Sequence, residues 1–539
     1  MSFIKNIKFF FQIINHNKKL FNSANFANDK KILIEFNNFC SDHIALSYCA
    51  NLLKKKYKAN IYAYVGHVLL SYPLKQSLLK KLFFFLGNFL RLKYFGVYKS
   101  FGTKKIIFPN DNKKILIKAE KTFKIFKSKV KTLKDLESFK FNKILIGDLL
   151  YDTYLKSTYN KTPTINMESL NFLKFVNEFL ILTVYWENYI KVNKVKAIIS
   201  SHSVYSLGLL IRIGIENKIE CFTLNYNEFK RINKKHPMQG YEVKKFKKIF
   251  NNLPDEKKKK IVIQSKKKIQ DRLMGKYDAD YGYITKSPFG LDGNLNIKKG
   301  KKKIFIIATH DFVDAPHVLG NSIFPDFYQW FLYLCELSKK SNDIWLVKNH
   351  PDFGEDYSRY IKYERDVTKN ILKKYPKIKI LNKNTTLNDL LKIKVDAVFT
   401  VNGTIGFDLA LLGVPVINAS LNNPHINYKF NLHPKNEIEL KNLILNYDVT
   451  IKKLKIKNNQ LYEFYAMRNI YFSKNWFFKN LDETTKKIGS FHNFHKPIFY
   501  NYWIKNFYKF DENQTKKRIN KFFKSKKIFL LNNQNLGNY

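Results

Sequence analysis

The stretch from Val395 to Ile417 restricts the fold more than any other. Ala397–Val401 is an apolar run of strand length, Asn402–Thr404 a polar turn and Ile405–Leu412 a short helix. Gly413 then stops the helix before a second apolar run, Val414–Ile417. A crossover carrying a helix joins parallel strands, and strands buried on both faces read as continuous apolar runs rather than alternating ones. The unit predicts part of a doubly wound sheet. Its turn lies at the carboxyl edge, where polar side chains and first-turn N–H groups gather and can hold a phosphate.

The same grammar recurs along the chain. Lys31–Phe36, Asn60–Val65, Lys105–Pro109, Lys114–Ile117, Ala197–His202 and Ile219–Leu224 read as strands, with Lys143–Asp148 as a strand end or loop. Helices are expected from about His43, over Leu74–Leu92, Met167–Val192 and Tyr205–Glu216. A second series begins at Lys303, with strands at Ile304–Ala308, Ile344–Lys348, Ile378–Leu381, Ala397–Val401 and Val414–Ile417. Helices near Phe327–Ser338, Tyr357–Lys374 and Leu387–Leu391 separate them. The expectation is an α/β protein of GT-B-like architecture: two Rossmann-like doubly wound domains facing a cleft, followed by C-terminal helices. The boundaries read as a basic leader (1–30), an N-terminal acceptor domain (31–287) with a Lys-rich helical segment near 240–287, a Gly-containing linker (288–302), a donor domain (303–436) and a helical, aromatic segment (437–539).

A length of 539 residues exceeds what one ordinary core supports. The formal charge of +53 points toward anionic partners, either nucleic acid or a membrane surface. An AT-rich coding sequence also favours Lys, Asn, Ile, Phe and Tyr, so drift on solvated faces competes with that reading. Many of the 48 Phe and 33 Tyr fall at core-like spacing rather than interleaved with basic residues, which argues against a nucleic-acid groove. Cys40, Cys49, Cys221 and Cys335 show no metal-ligand or redox spacing, which suits a reducing compartment. The apolar run Met167–Trp186 is interrupted by Glu168, Lys174 and Glu178, and reads as a core helix rather than a membrane span. The expected location is cytoplasmic. Lys5–Ile14 and Lys80–Lys93 are packed core helices on one reading and peripheral contacts with an anionic inner membrane face on the other.

Three segments of the second domain converge on one sheet edge. Ala308–His317, with His310, Asp314 and His317, follows the first strand. Trp345–Asp352, with Lys348 and His350, follows the second, and Asn402, Gly403, Thr404 and Gly406 form the third. A cation, imidazoles and amide donors are what a departing nucleotide phosphate needs, and Asp408 can accept from sugar or ribose hydroxyls. His425 follows the last strand, in position to close over a donor. Each also has an ordinary structural use: a turn His before Pro, an Asn or Thr cap, or an Asp complementing the helix dipole.

Lys348-Asn349-His350-Pro351, followed by Thr400 through Ile417, resembles the capsule polysaccharide synthesis and export transferases, which include Kdo transferases. His310 to His317 is similar to an earlier His- and Asp-rich segment of that family. The resemblance covers about Lys303 to His433 and implies a GT-B fold, a nucleotide-sugar co-substrate, no metal or other cofactor, and a step in surface-glycan assembly. Gly403 stands where a hydroxyl residue is common and Asp408 where Glu is common. The Gly-x-Pro-Val ending also occurs in teichoic acid polyolphosphate transferases.

For an inverting mechanism the base is expected from the first domain. Asp42 and His43 follow the first strand and His202 a later one; Asp42 also serves as a helix cap and His43 as a first-turn residue. The leading function is a glycosyltransferase moving a sugar from a nucleotide donor to a surface glycan or lipid-linked acceptor. The alternatives are glycerol- or ribitol-phosphate transfer and, in another class, a basic RNA- or membrane-surface-binding protein.

Overall fold

The structure, a computed structural model, describes residues 2–21, 25–66, 94–157, 163–275, 289–290, 295, 297–350, 358–452, 454–472, 476–478 and 481–530, apart from single positions 227, 239, 321 and 383. The expected helix Leu74–Leu92, the basic run Lys80–Lys93 and linker positions 288, 291–294 and 296 lie outside them. The chain divides into two units. One holds residues 1–154, 166–239 and 474–539, the other residues 155–165 and 240–473.

In the first unit the strands are β1 (Lys31–Glu35), β2 (Asn60–Tyr64), β3 (Thr103–Ile107), β4 (Lys140–Phe141), β5 (Ile144–Leu145), β6 (Val195–Ser200), β7 (Glu220–Leu224) and β8 (Phe229–Ile232). The main sheet has the order β3-β2-β1-β6-β7-β8, parallel except for β8, which returns antiparallel to β7. β4 and β5 form a separate short hairpin. The expected strand at Lys114–Ile117 is instead part of the helix Lys113–Lys129. The Asn112 side chain caps it by accepting from the Ile115 amide, and Ile115, Ala119 and Phe126 bury one stripe. Gly147 opens the helix Gly147–Ser157 where the chain passes too close for a side chain, since a Cβ there would lie 1.7 Å from the Leu136 carbonyl oxygen.

The leader is a helix, Ser2–Leu20, that belongs to this unit. Ile13 and Asn17 are buried, and the Asn17 amide donates to Ser100 Oγ at 3.0 Å. The end of the chain returns here as well. Trp476 Nε1 donates to the Asn225 carbonyl at 2.8 Å, Phe522 and Phe523 pack on Phe222 and Phe229, and the Arg231 amide bonds the Ile528 carbonyl along the β8 edge.

The second unit holds β9 (Ile304–Ala308), β10 (Ile344–Lys348), β11 (Ile378–Ile380), β12 (Ala397–Thr400) and β13 (Val416–Asn418), all parallel in the order β11-β10-β9-β12-β13. Side chains alternate across β9. Phe305 and Ile307 join Trp330, Phe331, Trp345 and Phe399 on one face, whereas Ile304, Ile306 and Ala308 join Leu346, Leu390, Val398 and Leu409 on the other. Both faces are thus covered by helices, and both units are Rossmann-like doubly wound layers. Gly413, at φ 79°, ends the helix Ile405–Leu411 in the left-handed region that suits glycine.

The observed division departs from the sequence-based boundaries. The Lys-rich helix Asp255–Leu273 belongs to the second unit, into which it buries Ile261, Ile269 and Arg272. Phe289, expected in a linker, is buried in the same unit's core. The expected C-terminal segment is split: Glu437–Leu445 and Asn458–Tyr465 stay with the second unit, and residues from 474 onward go to the first. Local hydropathy marks these helices as amphipathic without naming the core that receives them.

Candidate functional site

In a sheet of order 3-2-1-4-5 the connections leave in opposite directions from the two central strands, which opens a crevice at their carboxyl ends. In the second unit those strands are β9 and β12. His310, two residues beyond β9, spans the gap. Its Nε2 lies 3.1 Å from Thr400 Oγ1, 3.2 Å from the Val401 amide and 3.3 Å from the Asn402 amide. Nε2 accepts from these amides, so a neutral ring carries its proton on Nδ1. Burial pushes the imidazole pKa down to about 4, against the opposing charge of Asp314. The ring also stacks on Phe327 with centroids 4.6 Å apart.

The turn after β12 is packed against this clasp. A Cβ on Gly403 would stand 2.9 Å from Thr400 Oγ1 and 3.5 Å from His310 Cε1, so a larger residue here displaces the Thr400–His310 contact. Asn402, Gly403 and Thr404 are half-exposed. The amides of Gly406 and Phe407 turn back to the Gly403 and Thr404 carbonyls, so the donor group expected across Thr404–Gly406 is partly used within the turn.

Beneath the turn lies a polar cradle. Asn423 Nδ2 donates to the Val401 carbonyl at 2.7 Å, and Asn431 Nδ2 donates to the Gly406 carbonyl at 3.0 Å. Asn431 Nδ2 also lies 3.1 Å from His425 Nδ1. A Cβ on Gly406 would meet Asn418, Asn431 and His425 at 3.2–3.3 Å. Asn418 is fully buried, and neither its side-chain Oδ1 nor its Nδ2 has a hydrogen-bond partner among the described residues. His425 therefore does not close over a donor. It is a buried support under Gly406, edge-on to Phe464, and burial holds its pKa well below the usual value.

Beside the clasp, Lys348 ends β10 with its ammonium committed to the Thr385 carbonyl at 2.6 Å. Burial lowers its pKa to about 8, opposed by Asp389. The loops after β9 and β10 are joined by a residue that sequence reasoning missed. Glu364, on the helix Ser358–Leu372, is fully buried and accepts from the Thr309 hydroxyl and from Asn349 Nδ2 at 3.2 Å. Burial raises its carboxyl pKa to about 8, partly offset by the Thr309 bond and by the His350 backbone amide. A signal for it was present, since Glu364 lies on the same stripe as Thr368, Ile371 and Leu372, where an acid is out of place. In the loop after β9, Asp311 is raised to about 6, mainly by burial, Asp314 is exposed and His317 is buried.

Asp408 is not placed to accept sugar hydroxyls. Its Oδ1 accepts from Arg272 Nε at 3.0 Å and Nη2 at 2.8 Å, and both residues are buried.

The first unit has its own switch point, between β1 and β6. There Glu35 accepts from Ser200 Oγ at 2.9 Å and from the Ser201 amide at 2.5 Å. Asp42 is 1% exposed and accepts from the Tyr226 amide at 3.0 Å; burial first, then the Glu35 charge, raises its pKa well above normal. His43 has Nδ1 2.6 Å from the Tyr500 hydroxyl and Nε2 3.1 Å from Asn37 Oδ1, with its pKa lowered to about 3 by burial. These two expected bases are corrected to core residues, closed off by burial. His202 remains half-exposed, with Nδ1 2.8 Å from Ser201 Oγ. Among the described residues no group of three His, Cys, Asp or Glu side chains is gathered to hold a metal, and no helix is long and apolar enough to cross a membrane.

The fold and this edge define a two-unit Rossmann-like α/β protein with a polar switch-point site in its second unit. No protein-family model and no curated protein matches the chain. Among solved structures, it is similar to the Thermosulfurimonas dismutans KpsC beta Kdo 2,4 transferase at 13% identity, over 52% of this chain and 81% of that one, with a TM-score of 0.32. It is also similar to a Neisseria meningitidis UDP-GlcNAc 2-epimerase bound to UDP-GlcNAc (11% identity, 82% and 99% coverage, TM-score 0.25) and a Rickettsia africae glycosyltransferase (13%, 86% and 99%, TM-score 0.24).

Proposed function

We propose that this protein is a metal-independent glycosyltransferase of GT-B type. In this reading it moves a sugar from a nucleotide-activated donor to a surface glycan or lipid-linked acceptor, as in capsule polysaccharide assembly, at the cytoplasmic face of the membrane. The observation that carries the reading is the His310 clasp across β9 and β12, which holds a polar turn at the switch point where α/β sheets bind nucleotides.

The chemistry follows from the residues there. As the bond to the sugar breaks, negative charge grows on the departing phosphate and is met by the Asn402–Thr404 turn and the Lys348 ammonium. With a pKa of about 8, Lys348 is largely charged at neutral pH, and it must exchange the Thr385 carbonyl for a phosphate oxygen to take part. His202 is the base candidate in the first unit, because its ring stays half-exposed while Asp42 and His43 do not.

A thermal-shift screen of the full chain against CMP, CDP, UDP, GDP and their sugars tests the proposal. One nucleotide family is expected to raise Tm, and His310→Ala to weaken its binding by about tenfold, ~1.4 kcal/mol. Stabilisation by CDP-polyols alone moves the reading to polyolphosphate transfer. If no nucleotide or nucleotide sugar shifts Tm, the transferase reading fails.

A further inference from the structure

The loop after β13 has a second face. Its inner side chains, Asn423 and Asn431, hold the Val401 and Gly406 carbonyls, while Asn427 points outward and donates through Nδ2 to the Lys244 carbonyl at 2.6 Å. With Lys244, Lys247, Lys248, Asn251 and Asn252 it lines an open pocket of about 410 Å³. Three lysines and three asparagines line it, with no carboxylate among the described lining residues. Glu463 is within electrostatic reach of Lys247; burial pushes its carboxyl up, and Lys247 and a hydrogen bond from Tyr428 pull it back. Lys244 is partly desolvated, which lowers its pKa from the ordinary lysine value.

We propose that this pocket binds an anionic saccharide, a sugar bearing phosphate or carboxylate. Lysines supply compact point charges for a multivalent oxyanion. Carboxamides both donate and accept, as hydroxyl-rich ligands require. The volume suits one or two sugar residues. Nucleic acid fits less well, because no aromatic side chain is among the described lining residues, and Tyr428, with Lys247 Nζ 5.6 Å from its centroid, is buried and offers no stacking platform. Asn427 is two residues from His425, so the occupied pocket is joined through one short loop to the turn at Gly406. Its role as a holding site for a charged acceptor or product glycan rests on the transferase reading; the binding itself does not.

Calorimetry on the full chain with glucose 6-phosphate, glucuronate, inorganic phosphate and glucose provides the test. Glucose 6-phosphate or glucuronate is expected to bind and glucose not, and the tighter of the two names the anionic group. Lys248→Glu, at an exposed position, should weaken binding at least about tenfold, and Lys244→Gln with Lys248→Gln should abolish it. Unchanged affinity in these variants, equal binding of glucose, or no binding by either acidic sugar overturns the proposal. Inorganic phosphate binding as tightly as glucose 6-phosphate also overturns it, since the pocket then holds an adventitious ion only. Nucleotide-induced stabilisation is measured on the same preparations. Acidic sugars that bind while nucleotides do not leave the pocket standing and remove the transferase reading; the reverse result removes only the pocket.

Discussion

A carboxyl placed as Glu364 is holds its proton more tightly in the folded chain than in the unfolded one. Its pKa rises from the ordinary 4.5 to about 8 on folding. Stability from this group is therefore present at low pH and is lost as pH rises through that window, becoming flat above about 8. Glu364→Gln keeps an oxygen acceptor for Thr309 and Asn349 but cannot ionise. Chemical denaturation should find the variant gaining on the native protein between pH 5 and 8, and parallel pH profiles would contradict a protonated Glu364. Glu364→Ala strands the buried Thr309 hydroxyl and the half-buried Asn349 amide and should cost roughly 1–3 kcal/mol at any pH. At this scale the sequence identified chemical types better than partners. Asp42, His43 and Asp408 are the sorts of residue that do chemistry, but the groups that absorb them, Tyr226, Tyr500 and Arg272, lie 184, 457 and 136 positions away.

Short elements around the switch point work as packed pieces, which makes their substitutions interpretable. Gly403→Ala places a methyl group against Thr400 Oγ1, in the clasp that holds the turn. The expected result is nucleotide affinity reduced several-fold, to about a tenth, with unchanged circular dichroism; full affinity would show that the clasp has no part in binding. The Arg272–Asp408 pair ties the helix Asp255–Leu273 to the helix Ile405–Leu411. Arg272→Ala takes the guanidinium away from a buried carboxylate and should destabilise by about 3–5 kcal/mol, whereas Arg272→Met with Asp408→Leu should recover most of that loss in a double-mutant cycle. Strands were legible where apolar runs were continuous: Ile304–Ala308 and Ile344–Lys348 begin and end where the sequence places them. The run at Lys114–Ile117 reads as a strand in the sequence, although four apolar-rich residues fit one helical turn equally well. The Asn112 cap and the buried stripe continuing to Phe126 decide for the helix.

Across the whole molecule, the chain end matters most to the unit where the chain begins. Trp476, Phe477, Phe499, Tyr500, Phe522 and Phe523 are all buried in the first unit's core. A chain ending at residue 473 loses these side chains, each worth about 1.5–3 kcal/mol of apolar burial. It should expose apolar surface, measured as dye binding and loss of a cooperative unfolding transition; a soluble, cooperatively folding truncation would refute this account. By itself, the sequence determined the alternation of strands and helices, the doubly wound character of both halves and the polar loops after β9, β10 and β12, because periodicity, glycine stops and turn residues act over a few positions. Only the tertiary structure decided that Asp42, His43, His425 and Asp408 are buried partners, that Glu364 joins two loops, and that the Lys-rich helix packs in the second unit while residues from 474 onward join the first. Those outcomes depend on contacts between segments far apart in the chain, whose burial and pairing no local pattern encodes.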